Sequence, residues 1–119
     1  MNGIRVGKVS SINYKDGTVR VTYEDLDDSV TAEIPIFSFT DEYKPPEIGA
    51  EVVVLHLSNG ESAGVMLGKY WSEDNRPPVA GKDVFRKELG RSAGEAYMQY
   101  KDGVLTIRAP RIRIIQDQE

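Results

Sequence analysis

The residues best suited to catalysis are scarce in this sequence. His56 is the only histidine, and there is no cysteine. Histidine-based triads and zinc sites need further partner residues of these types, and thiol catalysis needs a cysteine. His56 lies inside the apolar segment 52–57. We therefore interpret it as a structural histidine on one face of a β-strand.

Carboxylates are the remaining candidates for chemistry, and they concentrate in the segment 24–29, which reads EDLDDS. An EF-hand would need a central glycine and a bidentate glutamate at its end, and this segment has neither. Gly60, Gly64 and Gly68 follow the spacing of strand residues and do not form a phosphate-binding loop. The sequence thus predicts a solvated acidic turn, no metal site, no cofactor and no enzyme activity.

The distribution of charge limits the partners that the chain can bind. The net charge is −4, with −6 in residues 1–81 and +2 in residues 82–119. A single-stranded nucleic-acid site would need a basic groove with exposed aromatic rings. Arg108, Arg111 and Arg113 alternate with apolar residues, which is typical of a solvated strand face. We expect no nucleic-acid partner. With no apolar run of about 18 residues and no apolar leader, we expect neither a membrane span nor Sec-type export.

Apolar residues with a period of two indicate β-strands throughout the first 70 residues. Val30, Ala32, Ile34 and Ile36 follow this period, and a phase change at Gly7 predicts a β-bulge. The connection after residue 36 contains two prolines, which exclude a helix there. The predicted strands span residues 3–13, 18–24, 29–36, 50–57 and 62–70.

Five short antiparallel strands with one long connection after the third favour an all-β fold. A Greek-key barrel of the OB type fits this arrangement best, and an SH3-like barrel is the alternative. The predicted barrel covers residues 1–72. The polar segment that follows contains two prolines and a glycine, and we interpret residues 73–82 as a linker.

The third part of the chain, residues 83–119, poses a packing problem. Lys101-Asp102-Gly103 predicts a hairpin turn between two strands, and the strand pattern continues to Ile115. The segment 82–90 fits either a short strand or one or two helical turns. An isolated hairpin is marginally stable at best. The apolar side chains of residues 97–115 therefore have too few partners in a single chain.

Several stretches together resemble the phage baseplate assembly protein V family, which shares a module with the valine-glycine repeat spike proteins of type VI secretion. The most specific stretch is Pro46–Pro78, where P-x-x-G-x-x-V-x-V precedes G-V-x-L-G-x-x-(Y/W)-S and an Asn-x-Pro-Pro exit. The order GKVSSIN, GTVRVTY and TAEIPI resembles the same family more weakly. The resemblance extends over nearly the whole chain.

This resemblance implies a homotrimer in which a short C-terminal β needle intertwines with two other copies. The family's apolar needle strands meet along the threefold axis, and the arginines face water. Buried Ile or Leu side chains contribute roughly 1.5–3 kcal/mol each. The residues that this arrangement would place in the trimer interface are Met98, Tyr100, Leu105, Ile107, Ile112, Ile114 and Ile115.

The resemblance also implies a function and partners. The chain would be a structural part of the central spike or baseplate hub of a contractile phage tail, or of a prophage-derived injection particle. It would be assembled in the bacterial cytoplasm and reside in the virion. The barrel would dock beneath a tail hub protein, and contact with the target membrane would be transient. No histidine follows His56, so the family's iron-binding tip motif is absent, and the tip is either blunt or completed by a separate cap protein.

The alternative is a monomeric OB-type module that binds nucleic acid or an oligosaccharide. Its binding loops would be Tyr14–Gly17 and Ser58–Glu61. Such a monomer has no use for the apolar strand residues near the C-terminus, and the barrel lacks a basic groove. These two features favour the trimeric spike.

Overall fold

The structure is a computed structural model, and it describes residues 3–57 and 63–118. The chain divides into two compact units, Met1–Ser72 and Glu73–Glu119, which we call unit 1 and unit 2. Both are built from antiparallel β-strands, and the described helical residues form only two 3₁₀ turns. The prediction of an all-β fold is confirmed.

Unit 1 contains one sheet, whose strands pair in the order β3-β2-β1-β5-β6. The short β4 pairs with the other end of β2. Beyond β4, Ile36 makes a parallel bridge with Met66, and the backbone N–H of Phe37 donates to the carbonyl oxygen of Met66 at 2.9 Å. No closed barrel is found among the described strands. The bounds are β1 Gly3–Asn13, β2 Thr18–Tyr23, β3 Ser29–Val30, β4 Ile34–Pro35, β5 Glu51–His56 and β6 Gly64–Gly68.

The predicted strand 29–36 is wrong, because the structure has two separate strands of two residues each. The interruption covers residues 31–33, and its first residue, Thr31, places its side chain in the ladder. The backbone N–H of Val21 donates to Thr31 Oγ1 at 3.0 Å, in the place where a strand carbonyl would accept. Val30 is therefore exposed while Ile34 is buried, so the two side chains do not share one buried face.

The predicted bulge at Gly7 is also wrong. Gly7 pairs regularly with Val52, and the register shift of β1 lies between Val9 and Ser11 against β2. The glycine is needed for another reason. A Cβ at Gly7 would lie 2.6 Å from Val21 Cγ1 and 2.7 Å from Tyr23 Cδ1, which is inside van der Waals contact.

All the buried apolar side chains of the described residues lie in unit 1. They come from the inward positions of β1, β2, β4, β5 and β6, as the pleat of a sheet requires. The members of this core are Val9, Val19, Val21, Tyr23, Ile34, Val52, Val54 and Met66.

Unit 2 contains a sheet of three strands in the order β7-β8-β9. These are β7 Phe85–Glu88, β8 Tyr97–Lys101 and β9 Val104–Arg108. Asp102 and Gly103 have φ values of 51° and 77°, as a tight hairpin turn of type I′ needs, so the predicted hairpin is confirmed. Of the two options for the segment 82–90, the structure has the strand. β9 ends at Arg108, before Pro110, which has no N–H to donate, and residues 109–118 form no strand pairing within the single chain.

Candidate functional site

One face of the unit 2 sheet is apolar and exposed. In the antiparallel register Phe85, Tyr100 and Leu105 lie side by side, and in the next row of that face Lys87, Met98 and Ile107 do the same. Directly opposed residues project to the same side of a sheet. Met98 is partly exposed, and the other four apolar side chains are exposed. We call the five residues Phe85, Met98, Tyr100, Leu105 and Ile107 the apolar face.

The opposite face of the same sheet is polar, and its groups are paired within one chain. The Arg86 guanidinium lies 3.4 Å from the centroid of the Tyr97 ring and donates from Nη1 to Gln99 Oε1 at 2.9 Å. Its Nε donates to Glu88, whose hydrogen bond raises the pKa of Arg86. Glu88 in turn accepts the backbone N–H of Gly94 at 2.7 Å. This side of the sheet has internal partners, whereas four of the five side chains of the apolar face are exposed among the described residues.

The structure brings together four of the seven residues predicted for a trimer interface. Met98, Tyr100, Leu105 and Ile107 share the apolar face. The other three, Ile112, Ile114 and Ile115, are exposed in the segment after β9, which has no strand pairing among the described residues.

Phe85 belongs to the apolar face, and the sequence-based prediction missed it. A strand of four residues is too short for its periodicity to be distinguished from a helical turn. One sequence signal was available for the two faces of β7. Along this strand, Phe85 and Lys87 alternate with Arg86 and Glu88.

His56 occupies a structural position in unit 1. Its ring is buried, and its Nε2 lies 2.5 Å from the hydroxyl oxygen of Tyr23, which is buried as well. Burial lowers the pKa of His56 and raises the pKa of Tyr23 to about 12. The pair is therefore neutral near pH 7, and the tyrosine hydroxyl donates to Nε2 in the tautomer that is protonated on Nδ1 and accepts from Nε2 in the other tautomer. This arrangement agrees with the interpretation of His56 as a structural residue.

The acidic turn after β2 is tied to β1 by ion pairs. Arg5 Nη1 lies 2.9 Å from Asp25 Oδ2, and Lys8 Nζ lies 3.0 Å from Glu24 Oε1. Asp27 and Asp28 adopt left-handed backbone conformations, with φ values of 54° and 58°. Within residues 3–57 and 63–118, no three His, Asp or Glu residues are grouped closely enough to hold a metal ion.

The alternative binding module would use two loops, of which the structure describes one. Tyr14–Gly17 is a turn whose Gly17 N–H donates to the Asn13 carbonyl oxygen at 2.9 Å. Ser58–Glu61 lies outside the described residues. No helix in the described part of the chain is long and apolar enough to cross a membrane.

No family model matches the sequence. No curated protein matches it either. A functional proposal therefore rests on the geometry of each unit and on the motif resemblance described above.

Proposed function

We propose that this chain is a structural, homotrimeric component of the central spike or baseplate hub of a contractile phage tail or a prophage-derived injection particle. The observation that carries the proposal is the apolar face of unit 2. The motif resemblance over Pro46–Pro78 supplies the class of particle.

The apolar face is costly in a single chain. Four of its five side chains are exposed, and no side chain of the described residues 73–118 is fully buried. Each large apolar side chain that becomes buried contributes roughly 1.5–3 kcal/mol. Three copies of this face, meeting around one axis, would form the core that unit 2 lacks.

The strand pairing of unit 1 supports an OB-type barrel for the part that would dock beneath the hub protein. The long β1 pairs with β2 through one end and with β5 through the other. The parallel bridge between Ile36 and Met66 joins the region after β4 to β6, which is the contact that a Greek-key barrel of five strands would need for closure.

The proposed mechanism is mechanical. Contraction of a sheath would drive the trimeric rod into the target envelope, with only transient contact between the rod and the membrane. Hydrogen bonds between strands of neighbouring copies would cover the free edges of β7 and β9 and make the rod stiff. The tip would be blunt or completed by a separate cap protein.

The experiment is a measurement of solution mass by light scattering on the full chain and two variants. Leu105 and Val104 are adjacent in β9, are 61% and 60% exposed, and project to opposite faces. We expect the unchanged protein to have three times the chain mass of 13.3 kDa. Leu105→Asp should give a monomer, because it places a charge in the trimer core. Val104→Asp, the matched control, should remain a trimer.

A monomeric unchanged protein would overturn the trimer and favour the alternative, a monomeric binding module. A trimer that persists in a chain truncated after Pro78 would place the assembly in unit 1 and refute the role of the apolar face. The assignment to a tail has its own test, which is antibody labelling of contractile particles from the source strain. Label at the distal end of the tail is expected, and unlabelled tails would contradict the assignment.

A further inference from the structure

Unit 1 carries a second exposed surface that its core does not explain. Four aromatic side chains are exposed around the connection between β4 and β5 and the turn between β1 and β2. An exposed cluster of large aromatic residues is typical of an interaction site. We call Tyr14, Phe37, Phe39 and Tyr43 the aromatic surface.

The connection that carries three of these rings is joined to the turn 14–17 by one backbone and one side-chain hydrogen bond. The N–H of Ile36 donates to the carbonyl oxygen of Gly17 at 2.9 Å, and the hydroxyl of Tyr43 donates to the carbonyl oxygen of Tyr14 at 2.9 Å. Phe37 and Phe39 lie between these two anchors in the sequence, and their rings meet edge to face with centroids 4.5 Å apart. The aromatic surface thus has internal contacts although its side chains are exposed.

Local backbone strain points in the same direction. Thr40 and Asp41 both adopt left-handed conformations, with φ values of 52° and 58°. Non-glycine residues in such conformations cost roughly 1–3 kcal/mol each; they occur in turns, where Asp adopts them most readily, and they also cluster at functional sites. The strained pair lies between Phe39 and Tyr43, so the connection retains an unfavourable backbone where it displays its rings.

The charge beside these rings is negative. Asn13 Nδ2 donates to Asp16 Oδ2 at 3.1 Å and to Glu33 Oε1 at 3.3 Å, so the two carboxylates share one amide. Thr18 Oγ1 also donates to Glu33, at 3.2 Å. These donors are neutral and leave the negative charges in place. Six acidic and three basic residues lie in the turn 14–17, in the connection 36–50 or within three residues of either, namely Asp16, Glu33, Asp41, Glu42, Glu47 and Glu51 against Lys15, Arg20 and Lys44.

We propose that the aromatic surface docks an arginine-bearing segment of a partner protein. A guanidinium can stack on an aromatic ring and donate to a carboxylate at the same time. Unit 2 shows this chemistry within the same chain, since Arg86 stacks on Tyr97 while it pairs with Glu88. A polyanion such as nucleic acid would be repelled by the acidic surroundings. The inference does not depend on the trimer proposed above, because all its residues lie in unit 1.

The test uses fluorescence anisotropy with the full chain and three labelled peptides, in which glycine alternates with arginine, lysine or glutamate. We expect the arginine peptide to bind about 5-fold more tightly than the lysine peptide, because lysine does not stack as a planar cation. The glutamate peptide should not bind.

Variants assign the binding to the aromatic surface. Phe39→Ala and Tyr43→Ala should each weaken arginine-peptide binding about 5-fold. Trp71→Ala is the matched control, since Trp71 is 64% exposed and Tyr43 is 65% exposed, and it should leave binding unchanged. Tyr43→Phe retains the ring but loses the anchor to Tyr14, and it should weaken binding less than Tyr43→Ala. Circular dichroism checks that each variant is folded.

Two outcomes would overturn the inference. Equal affinities for the arginine and lysine peptides, unaffected by Phe39→Ala, would mean that the acidic charge alone attracts cations. Binding of a neutral oligosaccharide such as chitohexaose that is lost in Phe39→Ala, with no binding of the arginine peptide, would make the aromatic surface a sugar site.

Discussion

Unit 1 and unit 2 are both antiparallel sheets, yet only one of them has a core. Among the described residues of unit 1 eight apolar side chains are buried, and they come from strands that cover one another within the chain. In unit 2 a sheet of three strands has an apolar face on one side and a paired polar network on the other. An alternating pattern thus predicts that a face is apolar, but it does not tell which molecule covers that face.

The clearest contrast between the two units concerns close packing at glycine. At Gly7 an added Cβ would lie 2.6 Å from Val21 Cγ1 and 2.8 Å from the backbone oxygen of Thr22. At Gly90 the nearest atom is Glu95 Cδ, at 3.0 Å, in an exposed side chain that can move. We expect Gly7→Ala to lower the free energy of unfolding by about 3 kcal/mol or more, because buried backbone must shift.

The matched substitution in unit 2, Gly90→Ala, should cost less than about 1 kcal/mol. Urea unfolding followed by circular dichroism measures both values. Equal losses would show that unit 2 is as tightly packed as unit 1, and the contrast between the two units would fail.

A second comparison uses one residue type in both units. Ile34 is 1% exposed and Ile114 is 90% exposed. Ile34→Ala should cost about 2–5 kcal/mol, since it leaves a cavity in the core. Ile114→Ala should change the stability of the dilute protein by less than about 0.5 kcal/mol.

Varying the protein concentration tests whether other copies of the chain cover Ile114. Assembly stabilises the folded state by mass action. If other copies cover Ile114, Ile114→Ala will lower the unfolding midpoint at high concentration and leave it unchanged in dilute solution. A midpoint that is the same at all concentrations, in the variant and in the unchanged protein, would remove Ile114 from any interface between copies.

The parts of the fold that the sequence predicted are those with local signals. The tight turn at Asp102-Gly103 and the alternation in β8 and β9 needed only neighbouring residues for their recognition. The wrong predictions, for the strand 29–36 and for the bulge at Gly7, concern positions that tertiary contacts determine. The side chain of Thr31 accepts a ladder hydrogen bond from Val21, and Gly7 is required by side chains from another strand. Neither contact produces a periodic pattern of apolar residues in the sequence.

The candidate site was predicted in part for a related reason. Leu105 and Ile107 are two positions apart in one strand, so the sequence alone predicts that they share a face. Phe85 joins them only through the register of β7 against β8. That register is a property of the folded sheet, and four residues of β7 are too few to predict it.

The smallest expected effect is a pH dependence that separates the units, because unit 1 contains the only histidine. Burial lowers the pKa of His56 below its value in the unfolded chain. The unfolded state therefore binds a proton more readily as the pH falls below about 6.5. The free energy of unfolding of unit 1 should be constant from pH 8 to about 7, decrease as the pH falls through the lowered pKa, and then level off.

His56→Gln removes this titration, and most carboxylates titrate below about pH 5. Hydrogen exchange of the β5 amides should therefore depend on pH between 7.5 and 5.5, after correction for the intrinsic exchange rates, in the unchanged protein only. The amides of β8 should show no such dependence in either protein. A slope that survives in His56→Gln would assign the titration to another group. A slope in β8 that disappears with His56→Gln would mean that the two units unfold together, and the contrast in their packing would then not extend to their stability.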